Sequence, residues 1–428
     1  MIRIPIADNV YLHYIPQTRF KANYLTMNFL TPLDSETAAN NALVPRVLSQ
    51  GCRAYPGAIA LAERLQSLYN LSLSRNRVFK RGETQVICQS AWMLDNSMVS
   101  DNTDILGGAL DMIGDIWFRP LTEENGFVSA FAEHAKNDTA DGIRALINNK
   151  NNYAPYRCNQ EMCRGERYGI SVVGTLQDVT EATPESVYKA YGNLLSGARC
   201  EIFYVGRGGE DRVADKFADL FSTVKRVEPK PLSTEVIREV KSVKEIVEDQ
   251  PVQQGKLSLG FRTGLTEADG GRAVMLMLND IYGSGPVSKL FMNVREKLGL
   301  CYYCSSAMDL IKGTMMVNCG IDPAKKEIAQ AEILHQLDEI RQMHITDAEF
   351  DAAKKSLRSA IRQVYDEPSS MEMWWLGRML SGRDTTPEEE IAHIENVTKS
   401  DVAAAAQNIQ LDTVYFMNGT GGEVADDE

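Results

Sequence analysis

The cysteines and histidines are the residues with which this chain could do metal, redox or nucleophilic chemistry, and their spacing narrows the choice. Cys301-Tyr302-Tyr303-Cys304 has the C-x-x-C spacing of half a tetrathiolate zinc site, but no second such pair and no histidine lies nearby to complete it. The run reads as a strand, where residues three apart point to opposite faces, so Cys301 and Cys304 are expected to be structural. Cys158 and Cys163 are read the same way. The five histidines (His13, His134, His335, His344 and His393) include no pair at ligand spacing. Neither H-x-x-E-H nor H-E-x-x-H occurs, so each is expected to be ordinary surface or core.

The 428 residues carry 58 acidic and 45 basic side chains, a formal net charge of −13. That balance argues against nucleic acid or an anionic membrane as the main partner, since both need a basic footprint. Apolar residues make up 44% and charged residues 24%, an ordinary globular composition. Eight cysteines scattered through a long chain imply a reduced, cytoplasmic protein rather than a disulfide-stapled one. Met1 to Asp8 contains one basic residue, then proline and aspartate, with no apolar core following, so a secretory signal is not expected. No apolar run of about 18 residues occurs, so no spanning helix is expected.

The elements that must position any site form a repeating order. Val10–Ile15 and Tyr24–Leu30 read as antiparallel strands, Asp34–Gln50 as a helix with an awkward internal Pro45, and Ile59–Leu68 as a second helix. Strands through Phe79 and Thr84–Ser90 follow, then helices at Asp104–Trp117, up to about residue 150 and at 183–195. Cys200–Gly206 closes the half as a buried strand. The second half repeats this order, with a strand at Lys256–Phe261 and a helix at Ala273–Ile281. The sharpest internal match pairs Leu61–Leu71 with Leu290–Leu300, each followed by a strand, a turn at Gly82 or Gly313, and a strand holding Cys88 or Cys319. Leu121-Thr122-Glu123-Glu124 and Ile345-Thr346-Asp347-Ala348 read as two capped helix starts. An ancient duplication follows: an α+β chain of two duplicated domains, each an antiparallel-rich sheet with helices packed on one face. The expected boundaries are 1–225 and 241–420, with a solvated, proline-containing linker at 226–240 and a flexible tail at 421–428.

Gly283-Ser284-Gly285-Pro286-Val287-Ser288-Lys289-Leu290 runs into Val294-Arg295-Glu296-Lys297-Leu298-Gly299-Leu300-Cys301-Tyr302. This glycine turn, leading to a helix that ends in R-E-x-x-G-L-x-Y, resembles the second-half signature of the insulinase, pitrilysin and mitochondrial processing peptidase family. Tyr168-Gly169-Ile170-Ser171, Gly174-Thr175 and Thr183-Pro184-Glu185 resemble its first-half pattern, so the likeness spans the chain. The resemblance implies the processing-peptidase-like metallohydrolase fold, with halves closing like a clam on an extended peptide.

Active members of that family hold zinc on a first-half helix through H-x-x-E-H and a distant glutamate. Counting back from Leu48-Ser49-Gln50-Gly51, the matching positions here are Ala42, Pro45 and Arg46, none of them a ligand. The distant glutamate would fall near Gly142, beside Asp141. No cofactor is therefore expected in this chain. The family's second half also supplies an arginine and a tyrosine, seven apart, that reach the substrate; Arg295 and Tyr302 match them. A guanidinium fork can hold a substrate carbonyl and a phenol can donate to a developing oxyanion. Without the resemblance, Arg295 would be read as pairing with a neighbouring carboxylate and Tyr302 as packing on a sheet face; Tyr303 would face the other way.

The resemblance is nearest the zinc-less subunits of bacterial two-subunit members. It implies a heterodimer in which an H-x-x-E-H partner holds the zinc and this chain supplies Arg295 and Tyr302 to an extended peptide. In isolation the chain is expected as either a monomer or a homodimer. One bacterial subgroup of this kind is associated with aminopentanol modification of elongation factor P. The alternatives are a catalytically dead peptide-binding or scaffold protein of the same fold, and an enzyme with a new site using Cys301 or Cys304.

Overall fold

A computed structural model describes residues 1–74 and 77–421. The expected tail at 421–428 lies outside the described residues apart from Gly421. The chain packs as two units. The first holds Met1–Ala145, Ile170–Ser233 and Met371–Met373; the second holds Leu146–Gly169, Thr234–Ser370 and the chain from Trp374 on. Each unit thus contains a segment from the other half of the sequence, which the division at 226–240 does not anticipate.

In the first unit, β1 (Ile2–Ala7), β2 (Val10–Pro16), β3 (Ala22–Pro32), β4 (Ser72–Leu73), β5 (Arg77–Arg81), β6 (Thr84–Leu94) and β9 (Arg199–Gly206) form one sheet. Its order is β1-β2-β9-β3-β6-β4, with β5 also paired to β6. A separate two-residue hairpin joins β7 (Thr122–Glu123) to β8 (Gly126–Phe127). The capped helix start expected at Thr122 is therefore absent: the helix begins at Ser129, whose N–H and Oγ donate to Glu123 at 3.1 and 2.9 Å.

Strand alternation separates two faces. Leu25, Met27 and Phe29 of β3 enter the main core with Ile105, Leu110 and Trp117 of the helix Ile105–Phe118. Thr26 and Asn28 point the other way and bond the buried Glu372 at 3.3 and 3.1 Å. His13 lies on that polar face too, bonded through Nε2 to Glu201 at 2.6 Å and stacked on Phe203.

The second unit repeats the plan with β10 (Lys244–Gln250), β11 (Gly255–Arg262), β12 (Cys301–Asp309), β13 (Thr314–Ile321) and β14 (Gln410–Gly419), ordered β10-β14-β11-β13-β12. In each sheet the last strand in sequence enters the middle. β9 runs parallel to β2 and antiparallel to β3, and β14 does the same between β10 and β11. The hairpins β5–β6 and β12–β13 turn on Gly82 and Gly313, both left-handed at φ 53° and 73°, a conformation glycine adopts without a Cβ penalty.

Leu257, Leu259 and Phe261 of β11 face the main core of this unit. The opposite face is covered as well, by the helix Lys150–Met162, whose Ala154 and Cys158 pack with Tyr415 and Met417. Gly260 makes room for it: a Cβ there would lie 2.7 Å from Met162 Sδ. Arg262 anchors the same segment through Glu166 and the Met162 carbonyl, at 2.5 and 2.9 Å.

The expected solvated linker is tied down at both ends. Arg226 donates to the Ala198 carbonyl at 2.5 Å and to that of Leu195, while Arg238 bonds Asp269 at 3.0 Å and the Gly264 carbonyl. Among the described residues no helix is long and apolar enough to cross a membrane.

Candidate functional site

The glycine turn and the helix after it build the second-half site. A Cβ at Gly283 would lie 2.6 Å from Ser306 Oγ, and one at Gly285 2.3 Å from Asp280 Oδ1, so close packing requires both glycines. The stretches before and after the turn, Asp280–Ser284 and Leu290–Lys297, are wound wider than an α-helix, a form often found at functional sites. Leu290 and Val294 seat the second of them in the core, and Asn293 bonds Gln336 at 2.7 Å. Gly299 is left-handed at φ 57° and ends the helix with its N–H on the Arg295 carbonyl. Leu300, 8% exposed, then enters the core and starts the turn into β12.

Arg295 projects from this helix with its guanidinium 4.8 Å above the Phe291 ring and Nε 3.5 Å from Glu296. The side chain is 43% exposed, so this ion pair is loose and solvent-screened. Tyr302 is 78% exposed. It sits at a bulge: Cys301 pairs with Ile321 and Tyr303 with Gly320, leaving Tyr302 as the extra residue. Bulges re-aim side chains in this way.

The same bulge overturns one expectation. Cys301, opposite Ile321, lies on the face shared by Cys319 and its partner Cys304, because the extra residue shifts the alternation by one. Cys301 and Cys304 therefore face the same side. Tyr303 takes the other side, where its hydroxyl donates to Asn151 at 3.2 Å and its ring lies over Gly320. Burial pushes its phenol up to about 12.

In the first unit the helix Ala38–Leu48 carries the three metal-equivalent positions. Ala42 is fully buried and Pro45 is buried inside the helix. Burial pulls the Arg46 guanidinium below its ordinary value, against the opposing charge of Asp138. Asp138, on the helix Ser129–Ala145, pairs in turn with His134 at 3.3 Å. Asp141 is taken by Arg144 at 2.9 Å. Alanine and proline side chains have no donor atom, and a guanidinium repels a cation, so these residues do not fit zinc. Among the described residues, no group of three His, Cys, Asp or Glu could hold a metal. His335 and His393 lie on the helices Lys326–Arg341 and Pro387–Asn396, and His344 lies in the loop after the first of these, paired with Glu339 at 3.2 Å.

Two buried polar networks carry no signal in the sequence. Glu372 accepts from Thr26, Asn28 and Arg77, and burial outweighs these contacts to raise its carboxyl. Glu166 accepts from Arg262 and Lys312; burial alone would raise it, but those bonds hold it below the usual range. Asp280, beneath the glycine turn, is pushed by burial to about 6, with Ser356 donating at 3.0 Å.

For Asp280 the folded chain binds its proton more tightly than the unfolded chain, whose carboxyl titrates near 3.8. Its contribution to stability is complete below about pH 4 and lost as pH rises through about 6. Asp280→Asn is therefore expected to raise stability at pH 7 by about 1–2 kcal/mol and to leave it unchanged at pH 4, as read by urea unfolding at both pH values.

Residues 181–357 match the family described as "Peptidase M16 inactive domain". A Bacillus subtilis protein named "Probable inactive metalloprotease YmfF" is 29% identical over 410 residues, covering 96% of each chain. A conserved protein from Enterococcus faecalis V583 superposes with a TM-score of 0.91 at 26% identity over 99% of both chains. A Pseudomonas fluorescens structure titled as a peptidase M16 inactive domain superposes at 0.79 with 17% identity, a likeness of fold.

Proposed function

We propose that this chain, which matches the M16 inactive domain over residues 181–357 and is similar along 96% of its length to a probable inactive metalloprotease, is the zinc-less subunit of a two-chain peptidase of the insulinase (M16) family. A homologous partner with H-x-x-E-H would hold the zinc and its water. This chain would contribute Arg295 to a carbonyl of an extended peptide and the Tyr302 hydroxyl to the oxyanion that forms as the bond is attacked. A peptide laid along a sheet edge would gain main-chain hydrogen bonds without strict sequence choice.

One contrast carries the reading. The metal positions hold Ala42, Pro45 and Arg46, packed within or against the first unit, whereas Arg295 and Tyr302 stand open to solvent on a built turn and bulge. A phenol 78% exposed at a bulge is held away from the core and within reach of a ligand. Metal analysis and affinity capture test it. Purified alone, the chain is expected to hold less than a tenth of an equivalent of zinc; captured with an H-x-x-E-H partner, the pair is expected to hold one. Stoichiometric zinc in this chain alone overturns the reading.

A further inference from the structure

None of the eight cysteines is in a disulfide, and seven of them are buried; Cys301 alone is partly exposed. The bulge at Tyr302 brings it onto the face of Cys304 and Cys319, which are direct cross-strand partners, with Cys301 on the diagonal from Cys319. Three thiols on one face of an edge strand and its neighbour, one of them accessible, make a cluster of nucleophiles that the proposed peptidase role does not use. Hydrogen bonds from Cys304 and Cys319, with help from the Arg295 charge and against burial, pull the Cys301 thiol down; the same coupling and burial push Cys304 up. The shift favours the thiolate, the form that reacts, at the accessible sulfur rather than at the buried ones.

We propose that Cys301, Cys304 and Cys319 form a peroxide-reactive thiol site, in which Cys301 takes up the oxidising equivalent and the cross-strand pair Cys304–Cys319 stores it as a disulfide. The Cys301 thiolate attacks one peroxide oxygen; the O–O bond breaks, hydroxide leaves and is protonated to water, and Cys301 becomes a sulfenic acid. Cys319 attacks that sulfur, its thiol proton going to the departing oxygen, and a second water leaves. Cys304 then attacks the Cys319 sulfur, the Cys301–Cys319 bond breaks, and Cys301 leaves as thiolate while the Cys304 proton passes to solvent. Two thiols and one peroxide give one disulfide and two waters.

Geometry selects the resting bond. Cys304 and Cys319 are direct partners in an antiparallel ladder, where Cα atoms lie about 4.5–5.5 Å apart, inside the roughly 4.4–6.8 Å that a disulfide spans. Cys301 and Cys319 are diagonal neighbours, at about 7–8 Å, just beyond that span. Their bond serves as the transient link, which the terminal position of Cys301 on β12 allows.

The test treats the full chain with one equivalent of hydrogen peroxide, then maps non-reduced peptides by mass spectrometry. The expected product is a Cys304–Cys319 crosslink with Cys301 free, formed at least 10-fold more slowly in Cys301→Ser. In the unmodified chain, iodoacetamide below the ordinary thiol pKa of about 8.5 is expected to label Cys301 before any other cysteine. In Cys304→Ser, dimedone or a Cys301–Cys319 crosslink is expected to trap the intermediate. Eight free thiols after peroxide, a crosslink elsewhere, or equal labelling of Cys301 and the buried cysteines overturns the proposal.

Discussion

Arg295→Ala, in this chain paired with an H-x-x-E-H partner, is expected to lower kcat/KM on the order of 100-fold, the usual loss when one preorganised donor to a reacting carbonyl is removed. Tyr302→Phe, which deletes one oxygen, is expected to cost a similar factor. The two losses should differ in kind. A guanidinium that grips the peptide before and during reaction raises KM when removed, whereas a phenol needed only by the oxyanion lowers kcat. The free geometry permits both roles. The Arg295 pair with Glu296 is long at 3.5 Å and exposed, so a substrate can displace it at little cost, and the Tyr302 ring is 78% exposed. Tyr303→Phe is the control: its hydroxyl is bound to Asn151 and should not change turnover. Unchanged turnover in both Arg295→Ala and Tyr302→Phe would remove this chain from the chemistry.

Arg262→Met is expected to destabilise the second unit by about 3–5 kcal/mol, the loss seen when one partner leaves a buried ion network. Arg262 is 2% exposed and bonds Glu166, Asp412 and the Met162 carbonyl at 2.5, 2.9 and 2.9 Å. Removing it leaves Asp412 without its charged partner and Glu166 held by Lys312 alone, at 2.6 Å. The network also fastens Leu146–Gly169 to the sheet, so amide exchange in that segment should rise most. Arg262→Lys keeps the charge but loses the fork, and an intermediate loss is expected. A fall in stability below about 1 kcal/mol, or exchange that rises uniformly, would contradict the role assigned to the network.

Much of the plan was legible in the residues. The repeated order of strands and helices, the turns at Gly82 and Gly313, and the helix around Pro45 all follow from local pattern, and each appears. The vacancy at Ala42, Pro45 and Arg46 was equally plain, because those side chains lack ligand atoms whatever the fold does. Local pattern could not show which sheet the helix Lys150–Met162 covers. Ala154, Cys158 and Met162 recur every four residues and announce one buried stripe, but not its destination. Nor could it show the bulge at Tyr302. Strand alternation puts Cys301 and Cys304 on opposite faces, and only the pairing of β12 with β13 reveals the extra residue that reverses this. The buried partners of Glu372 and Arg262 are distant in sequence by hundreds of positions or nearly so, and no spacing rule connects them.

A mixing titration tests most directly whether chemistry is divided between two chains. Increasing amounts of this chain are added to a fixed amount of the H-x-x-E-H partner, and cleavage of an extended fluorogenic peptide is followed. The shared-site reading expects negligible cleavage by either chain alone, a linear rise on mixing, and saturation at one chain per partner. Cleavage by the partner alone at the full rate, unaffected by this chain at any ratio, would contradict it.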